Sequence, residues 1–174
     1  MLPSESRRPR PSRASRVIKT ALVLPNDTNN HHTLFGGKLM AYIDDVAAIS
    51  AMRHCHEQVV TASTDSIDFL RPINQNEAVI LESFVTWTGT SSMEVFIKVF
   101  AEDLLSGERR IAATAFSTFV ALDKNFKPVR VPPVYPETDE EKALFDSAPN
   151  RVLERQRRRV ESRKMAELIE TMSK

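Results

Sequence analysis

The sequence predicts an α+β domain, one antiparallel sheet of about five strands wrapped around a single long helix. Three observations carry this. Residues 37–55 run without proline, are rich in helix formers, and place apolar side chains on nearly every face. One strand-like segment precedes that run and four follow it, with β-branched and partly alternating character. Three of the connections between strands are short, which is the condition for antiparallel neighbours. At 174 residues a single domain is the default, with chain left over for tails.

Taken in order, residues 1–15 are Pro, Ser and Arg with almost nothing to bury, and read as a disordered basic tail. Residues 16–135 form the predicted domain. Its first strand is 16–24 (RVIKTALVL), stopped by Pro25. Residues 26–33 (NDTNNHHT) are a polar loop of turn formers, and Leu34-Phe35-Gly36-Gly37 lead into the helix. In the helix, Leu39, Met40, Ile43, Val46, Ile49 and Met52 predict burial on all sides, and Arg53 and His54 suit the negative end of its dipole. Strands follow at 59–69, 78–88, 91–103 and 109–122, divided by turns at Arg71-Pro72, Thr88-Gly89-Thr90 and Ser106-Gly107. Pro128, Pro132, Pro133 and Pro136 mark an irregular connector. Residues 136–174 are a C-terminal helical extension, with a start signal at Thr138-Asp139-Glu140-Glu141 and a charged helical tail over 150–173.

Composition narrows the class. Apolar residues make up 41% of the chain, enough to bury a core. No apolar run approaches the roughly 18 residues that cross a membrane. No apolar stretch follows the basic N-terminus, which therefore does not read as a secretory signal, although its Arg and Ser leave a transit peptide as a lesser reading. One cysteine, Cys55, excludes an intrachain disulfide and fits a reducing cytoplasm. The net charge of +1 hides a split: residues 1–20 carry six basic and one acidic side chain, 151–174 eight and four, and 21–150 ten and eighteen. The plain reading is solvated tails on an acidic body; the sharper one is tails that reach phosphate, on a ligand or on nucleic acid. With 7% aromatic residues there are few stacking platforms, which argues against nucleic acid.

Two features point to chemistry. Asp44 and Asp45 stand mid-helix in an apolar stretch, where a buried carboxylate is costly unless paired. They are either packing and solvent-facing residues or a carboxylate held for acid–base or nucleophilic work. Gly36-Gly37 stand at the helix start, as a tight turn or as N–H donors that hold a developing oxyanion. From Gly37 to Asp44 the helix rises about 10 Å, too far for one carbonyl to meet both. If both serve one reaction, they come from different subunits. The histidines His31-His32 and His54-Cys55-His56 lack zinc spacing, since neighbouring helix positions diverge by about 100°. No metal is expected. No nucleophilic-serine, P-loop or dinucleotide motif is present, and Cys55 reads as structural.

The segment Pro25-Asn26-Asp27-Thr28-Asn29, then Phe35-Gly36-Gly37, Leu39-Met40 and Asp44 resembles the hotdog-fold acyl-CoA hydrolase family, including its YciA-like and cytosolic brain-type members. Arg53-His54-Cys55, Val60-Thr61-Ala62-Ser63, Asp68-Phe69, Ser92-Met93-Glu94-Val95 and Val131-Pro132-Pro133 extend the match, which covers residues 17–158. The resemblance implies a hotdog fold and thioester hydrolysis of fatty acyl-CoA, with coenzyme A as part of substrate and product and no separate cofactor. It implies Asp44 as the catalytic carboxylate, Asn29 from the partner subunit, Thr61 near Asp44, and the Gly36-Gly37 backbone on the carbonyl. It places Ser91 and Ser92 at the coenzyme, and implies a homo-oligomer, a dimer at minimum and often a trimer of dimers. Many relatives carry glycine where His32 stands. Arg71, Arg110, Arg130 and the basic run 151–159 are candidates for the coenzyme's phosphates, against a plain surface role. Rival readings are a non-catalytic acyl-CoA sensor, a hydratase or dehydratase needing a histidine in the helix, and a nucleic-acid module using the tails.

Overall fold

A computed structural model describes residues 8–173. The strands are β1 (Arg10–Pro11), β2 (Val17–Leu22), β3 (Gln58–Phe69), β4 (Ala78–Thr88), β5 (Ser92–Glu102), β6 (Arg109–Leu122) and β7 (Val134–Tyr135); the helices are α1 (Gly36–Cys55) and α2 (Asp139–Met172). The main sheet has the order β2-β4-β5-β6-β3 and is antiparallel throughout. α1 lies across one face and touches all five strands, so the expected sheet around a helix is present. One expected pairing is not. The short link after β3 does not form a hairpin: β3 crosses to the far edge and pairs with β6. Arg71 and Pro72 interrupt the hydrogen-bonding run there, and the chain must pass beneath α1's N-terminus, where Leu34 N–H donates to the Ile73 carbonyl at 2.7 Å.

α1 buries Leu39, Ile43, Val46, Ala47, Ala51 and Cys55 against the sheet. Ser50 Oγ and Ser83 Oγ lie 2.8 Å apart beneath it, and Ser83 Oγ also donates to the Val46 carbonyl at 3.0 Å, so no hydroxyl is stranded there. The expectation of burial all round is corrected. A sheet offers a helix one face, and the other side of α1 stays open, with Met40, Ile49 and Met52 exposed.

The N-terminal tail is also corrected. Residues 10–15 are ordered: β1 pairs in parallel with β7, and a 3-10 turn at Ser12–Ser15 buries both end serines. Composition misleads here because small polar groups, not apolar ones, fasten the segment. Val85 N–H donates to Ser15 Oγ at 2.8 Å, just past the last β2–β4 pair, and Arg10 donates to the His54 carbonyl at 2.7 Å. Residues 1–7 of the expected tail lie outside the described residues.

The C-terminal extension is a single helix. Thr138 caps it, with its Oγ1 accepting from Glu141 N–H while the Glu141 carboxylate accepts from Thr138 N–H. Pro149 lies inside it. α2 covers the outer face of the sheet, where Trp87 and Phe145 rings stand 4.9 Å apart and Arg151 lies over the Phe116 ring.

His54 is fully buried at the end of α1. Its Nε2 lies 2.8 Å from the Pro132 carbonyl, which can only accept, so the proton sits there; Nδ1 has no partner among the described residues. Burial lowers its pKa, opposed by the Pro132 bond and assisted by the Arg10 and His56 charges. The stability from a neutral His54 is therefore whole above the unfolded value of about 6.5 and is lost as pH falls below it. Melting temperature is expected to drop below about pH 6.5, and His54→Gln, which keeps the donor to Pro132, is expected to flatten that limb.

Candidate active site

The loop entering α1 is held by its own polar groups. Pro25–Asp27 make a 3-10 turn, Phe35 N–H donates to the Asp27 carbonyl at 2.8 Å, and Lys38 reaches the Asp27 carboxylate at 3.4 Å. Asn29 organises the other half as an Asx turn. Its Oδ1 accepts from His31 N–H at 2.9 Å and Thr33 N–H at 3.3 Å, and its amide lies 3.0 Å from Thr33 Oγ1. His32 has a φ of 60°, donates to the Asn29 carbonyl and accepts from Gln75 N–H. That left-handed backbone is what glycine adopts at no steric cost, and histidine holds it here against that cost.

Gly36 and Gly37 are the first two residues of α1, so their N–H groups have no carbonyl four residues back within the helix. No side chain caps this end. A Cβ on Gly37 would stand 2.5 Å from the Phe35 ring, which excludes any other residue without moving that ring. Beside the helix start lies a groove of about 390 Å³, lined by residues that include Asn29, Thr33, Gly36, Leu39, Phe69 and Arg71.

Asp44 stands two turns further along α1, on its open face, and does not line that groove. The burial expected of it from sequence is absent within the single chain. Thr61 Oγ1 on β3 donates to Asp44 Oδ1 at 3.0 Å. Its neighbour Asp45 turns away to an exposed ion pair with Lys19 at 2.8 Å. The two aspartates are thus resolved: one is solvated and ion-paired, the other held by a hydroxyl. One chain therefore brings Asp44 to Thr61 and Asn29 to Gly36, but keeps the two pairs apart.

The coenzyme candidates are scattered. Ser91 and Ser92 lie in the β4–β5 hairpin, next to a second groove of about 270 Å³ lined by Gly89, Thr90, Arg130, Val131 and Pro133. Arg71 is exposed at the first groove. Arg110 is engaged elsewhere. Its guanidinium holds both Glu77 carboxylate oxygens at 2.7 Å and donates to the Pro72 carbonyl at 3.0 Å. Those bonds depress the Glu77 carboxyl below its ordinary range. Arg151, Arg155 and Arg158 of the expected phosphate-binding run are likewise tied inward, to Glu94 and Asp65. Burial raises the Cys55 thiol, an inert state consistent with a structural cysteine. Among the described residues, no three His, Cys, Asp or Glu side chains gather as a metal site.

Sequence reading missed that inward network. Glu94 is 1% exposed and Arg155 8%. Hydrogen bonds from Ser63 and Thr118 and the Arg155 and Arg158 guanidiniums outweigh burial and hold the Asp65 carboxyl below its usual range. The available signal was a lone glutamate among apolar strand residues (SMEVFIKV) in a chain whose last helix is rich in arginine.

A long helix crossed by five antiparallel strands, its start left open beside a groove, is the hotdog fold, and the likeness to known proteins supplies the thioesterase class. The thioesterase superfamily model matches residues 31–108. An uncharacterized acyl-CoA thioester hydrolase of Bacillus subtilis is 60% identical over 157 residues, 90% of this chain and 91% of its own. The cytosolic acyl coenzyme A thioester hydrolase of Rattus norvegicus is 38% identical over 79% of this chain, which spans only 37% of that longer protein. Among solved structures, an acyl-CoA hydrolase from Staphylococcus aureus in complex with butyryl coenzyme A, coenzyme A and coenzyme A disulfide has a TM-score of 0.89 and 48% identity, over 92% of this chain and 98% of that one. Variants of that hydrolase in which an aspartate, an asparagine or a threonine is replaced by alanine have also been solved, with TM-scores of 0.90, 0.91 and 0.88 to this chain. An apo-hexameric acyl-CoA thioesterase has a TM-score of 0.85 and 49% identity, over 87% of this chain and 97% of its own. The chain belongs to the thioesterase superfamily, among the acyl-CoA thioester hydrolases, and is an enzyme of that class.

Arg110→Ala is expected to cost about 1.5–3 kcal/mol of stability, because Glu77 loses the hydrogen bonds to its charged form. Urea unfolding measures this; an unchanged midpoint with a raised KM would assign Arg110 to the coenzyme instead.

Proposed function

We propose that this enzyme hydrolyses fatty acyl-CoA to free fatty acid and coenzyme A at a site shared between two subunits. The observation that carries this is the separation of the two half-sites along α1. Gly36 and Asp44 stand eight residues apart, a rise of about 12 Å, so one thioester carbonyl cannot touch both from a single chain. A second copy laid against the open face of α1 brings Asn29 and Gly36-Gly37 of one chain to Asp44 and Thr61 of the other. It would also cover Met40, Ile49 and Met52 and the exposed edge strand β3. The hexameric neighbour supports such assembly, and a hexamer built as a trimer of dimers is the form we propose.

In the reaction, the Gly36 and Gly37 N–H groups donate to the thioester carbonyl oxygen as negative charge develops on it. The Asp44 carboxylate either takes a proton from water as that water attacks the carbonyl carbon, or attacks that carbon itself to give an anhydride that water then opens. Either way the carbon–sulfur bond breaks, the coenzyme leaves as thiolate and is protonated, and a carboxylate remains. Thr61 fixes the Asp44 oxygen that does not react, and Asn29 orients the water. Ser91, Ser92 and Arg71 are the coenzyme contacts we assign, with Arg110 supporting the Arg71 turn from beneath through Pro72. The single buried cysteine fits work in the reducing cytoplasm.

Thiol release from a panel of acyl-CoAs tests the reading. Wild type is expected to turn over, and Asp44→Asn to lose about a hundredfold or more in kcat. A wild type that binds acyl-CoA and releases no thiol would make the protein a sensor. In a single turnover in labelled water, label recovered in Asp44 selects the anhydride route.

A further inference from the structure

Thr61 and Asp65 lie four residues apart in β3, so regular alternation would turn both to one face of the sheet. They serve opposite faces instead. Thr61 reaches Asp44 on α1, while Asp65 reaches Arg155 and Arg158 on α2. The β3–β6 register shifts twice, between Thr61 and Ser63 and between Thr64 and Ser66; the first shift reverses the alternation, so that Asp65 faces α2, and the second restores it. Ala62 and Asp65 are the residues left without a ladder partner.

Asp65 closes this double bulge with its own carboxylate. It accepts from Ser63 Oγ at 2.6 Å within the bulge and from Thr118 Oγ1 at 2.6 Å on the neighbouring strand. Arg155 donates to it at 3.1 Å, and Arg158 holds both the carboxylate and, at 2.8 Å, the Asp65 carbonyl. The arginines are themselves fixed. Glu94, buried in β5, accepts from Arg151 at 2.8 Å, from Arg155 at 3.4 Å and from Thr86 at 2.9 Å. A buried ionic network of this kind adds little stability over apolar packing, so its content lies in the geometry it imposes. That geometry is the double bulge that begins directly after Thr61, the last regularly paired residue before it.

We infer that Asp65 is a positioning residue: clamped by Arg155 and Arg158, it holds the double bulge that aims the Thr61 hydroxyl at the Asp44 carboxylate. α2, which lines neither groove, thereby sets a dimension of the reacting site on the other face of the sheet. The inference rests on the reading of Asp44 as the reacting group, and its test is built to separate the two.

Thiol release is measured for Thr61→Ala, Asp65→Ala, Asp65→Glu and the Thr61→Ala/Asp65→Ala double variant, with hydrogen exchange followed across β3. Asp65→Ala is expected to lower kcat about tenfold or more, as Thr61→Ala does, with KM held within about twofold. The double variant is expected to be no slower than the slower single one, and Asp65→Glu to recover part of the loss. Amides 61–66 are expected to exchange faster in Asp65→Ala while those of α1 do not change. Wild-type kcat in a folded Asp65→Ala, or losses that multiply in the double variant, would overturn the inference and leave the hydrolase reading intact. Wild-type turnover in Asp44→Asn would instead remove the reacting group, and unchanged exchange at 61–66 would then overturn the bulge clamp as well. Should Asp65→Ala fail to fold, Arg158→Met carries the same comparisons.

Discussion

The seating of α1 on the sheet is the constraint from which the rest of the molecule follows. Ala47 and Ala51, both with no exposed surface, let the helix come close to the strands, and Leu39, Ile43 and Val46 fill the space on either side. Each large aliphatic group so buried contributes about 1.5–3 kcal/mol. With that side of α1 committed to the core, Met40, Asp44 and Met52 are carried outward by helical periodicity alone. Asp44 is thus placed on the outer wall of the domain by the same packing that holds the domain together. The start of α1, Gly36-Gly37, is fixed by a loop whose polar side chains bond to their own backbone, so the two positions are held for different reasons.

Much of this is legible in the order of residues alone. The 20-residue helix and five long strands announce themselves by period and by the turns between them, and their observed ends fall within about two residues of expectation. The Thr138 capping box marks the start of α2 directly. Asp44 stands out as an acid in an apolar helix, though the same signal does not distinguish it from Asp45; only the Thr61 hydroxyl and the Lys19 ammonium do that. What sequence cannot supply is sidedness. Period shows that a helix is apolar all round, but not that one side packs on the sheet while Met40, Ile49 and Met52 on the other stay exposed. The crossing of β3 to the far edge is hidden too, because a short link predicts a neighbour and says nothing of a chain that passes under a helix end. The N-terminal segment misleads because hydroxyls and a guanidinium, rather than buried carbon, hold it in place.

The arginines of α2 show how charge counts mislead when separated from position. Eight basic residues in the last 24 look like a surface for anions, yet Arg151, Arg155 and Arg158 turn inward to Glu94 and Asp65. A glutamate in the middle of an apolar strand needs a partner on whatever covers that strand, and here the cover is the arginine-rich helix. The charge split along the chain is to that extent a single buried contact, with its acids in the sheet and its bases in α2.

The pairing of β1 with β7 has a bearing on how the chain is made. Arg10 and Pro11 reach their neighbours Val134 and Tyr135 only after nearly the whole domain has been synthesised. Contacts this distant in sequence close the largest loops and come at the greatest entropic cost before any return. The rest of that segment is held by nearer partners: Arg10 also donates to the His54 carbonyl, and Ser15 Oγ accepts from Val85 N–H. The small parallel sheet joins the start and the close of the domain, and its pairing waits on residues 134 and 135.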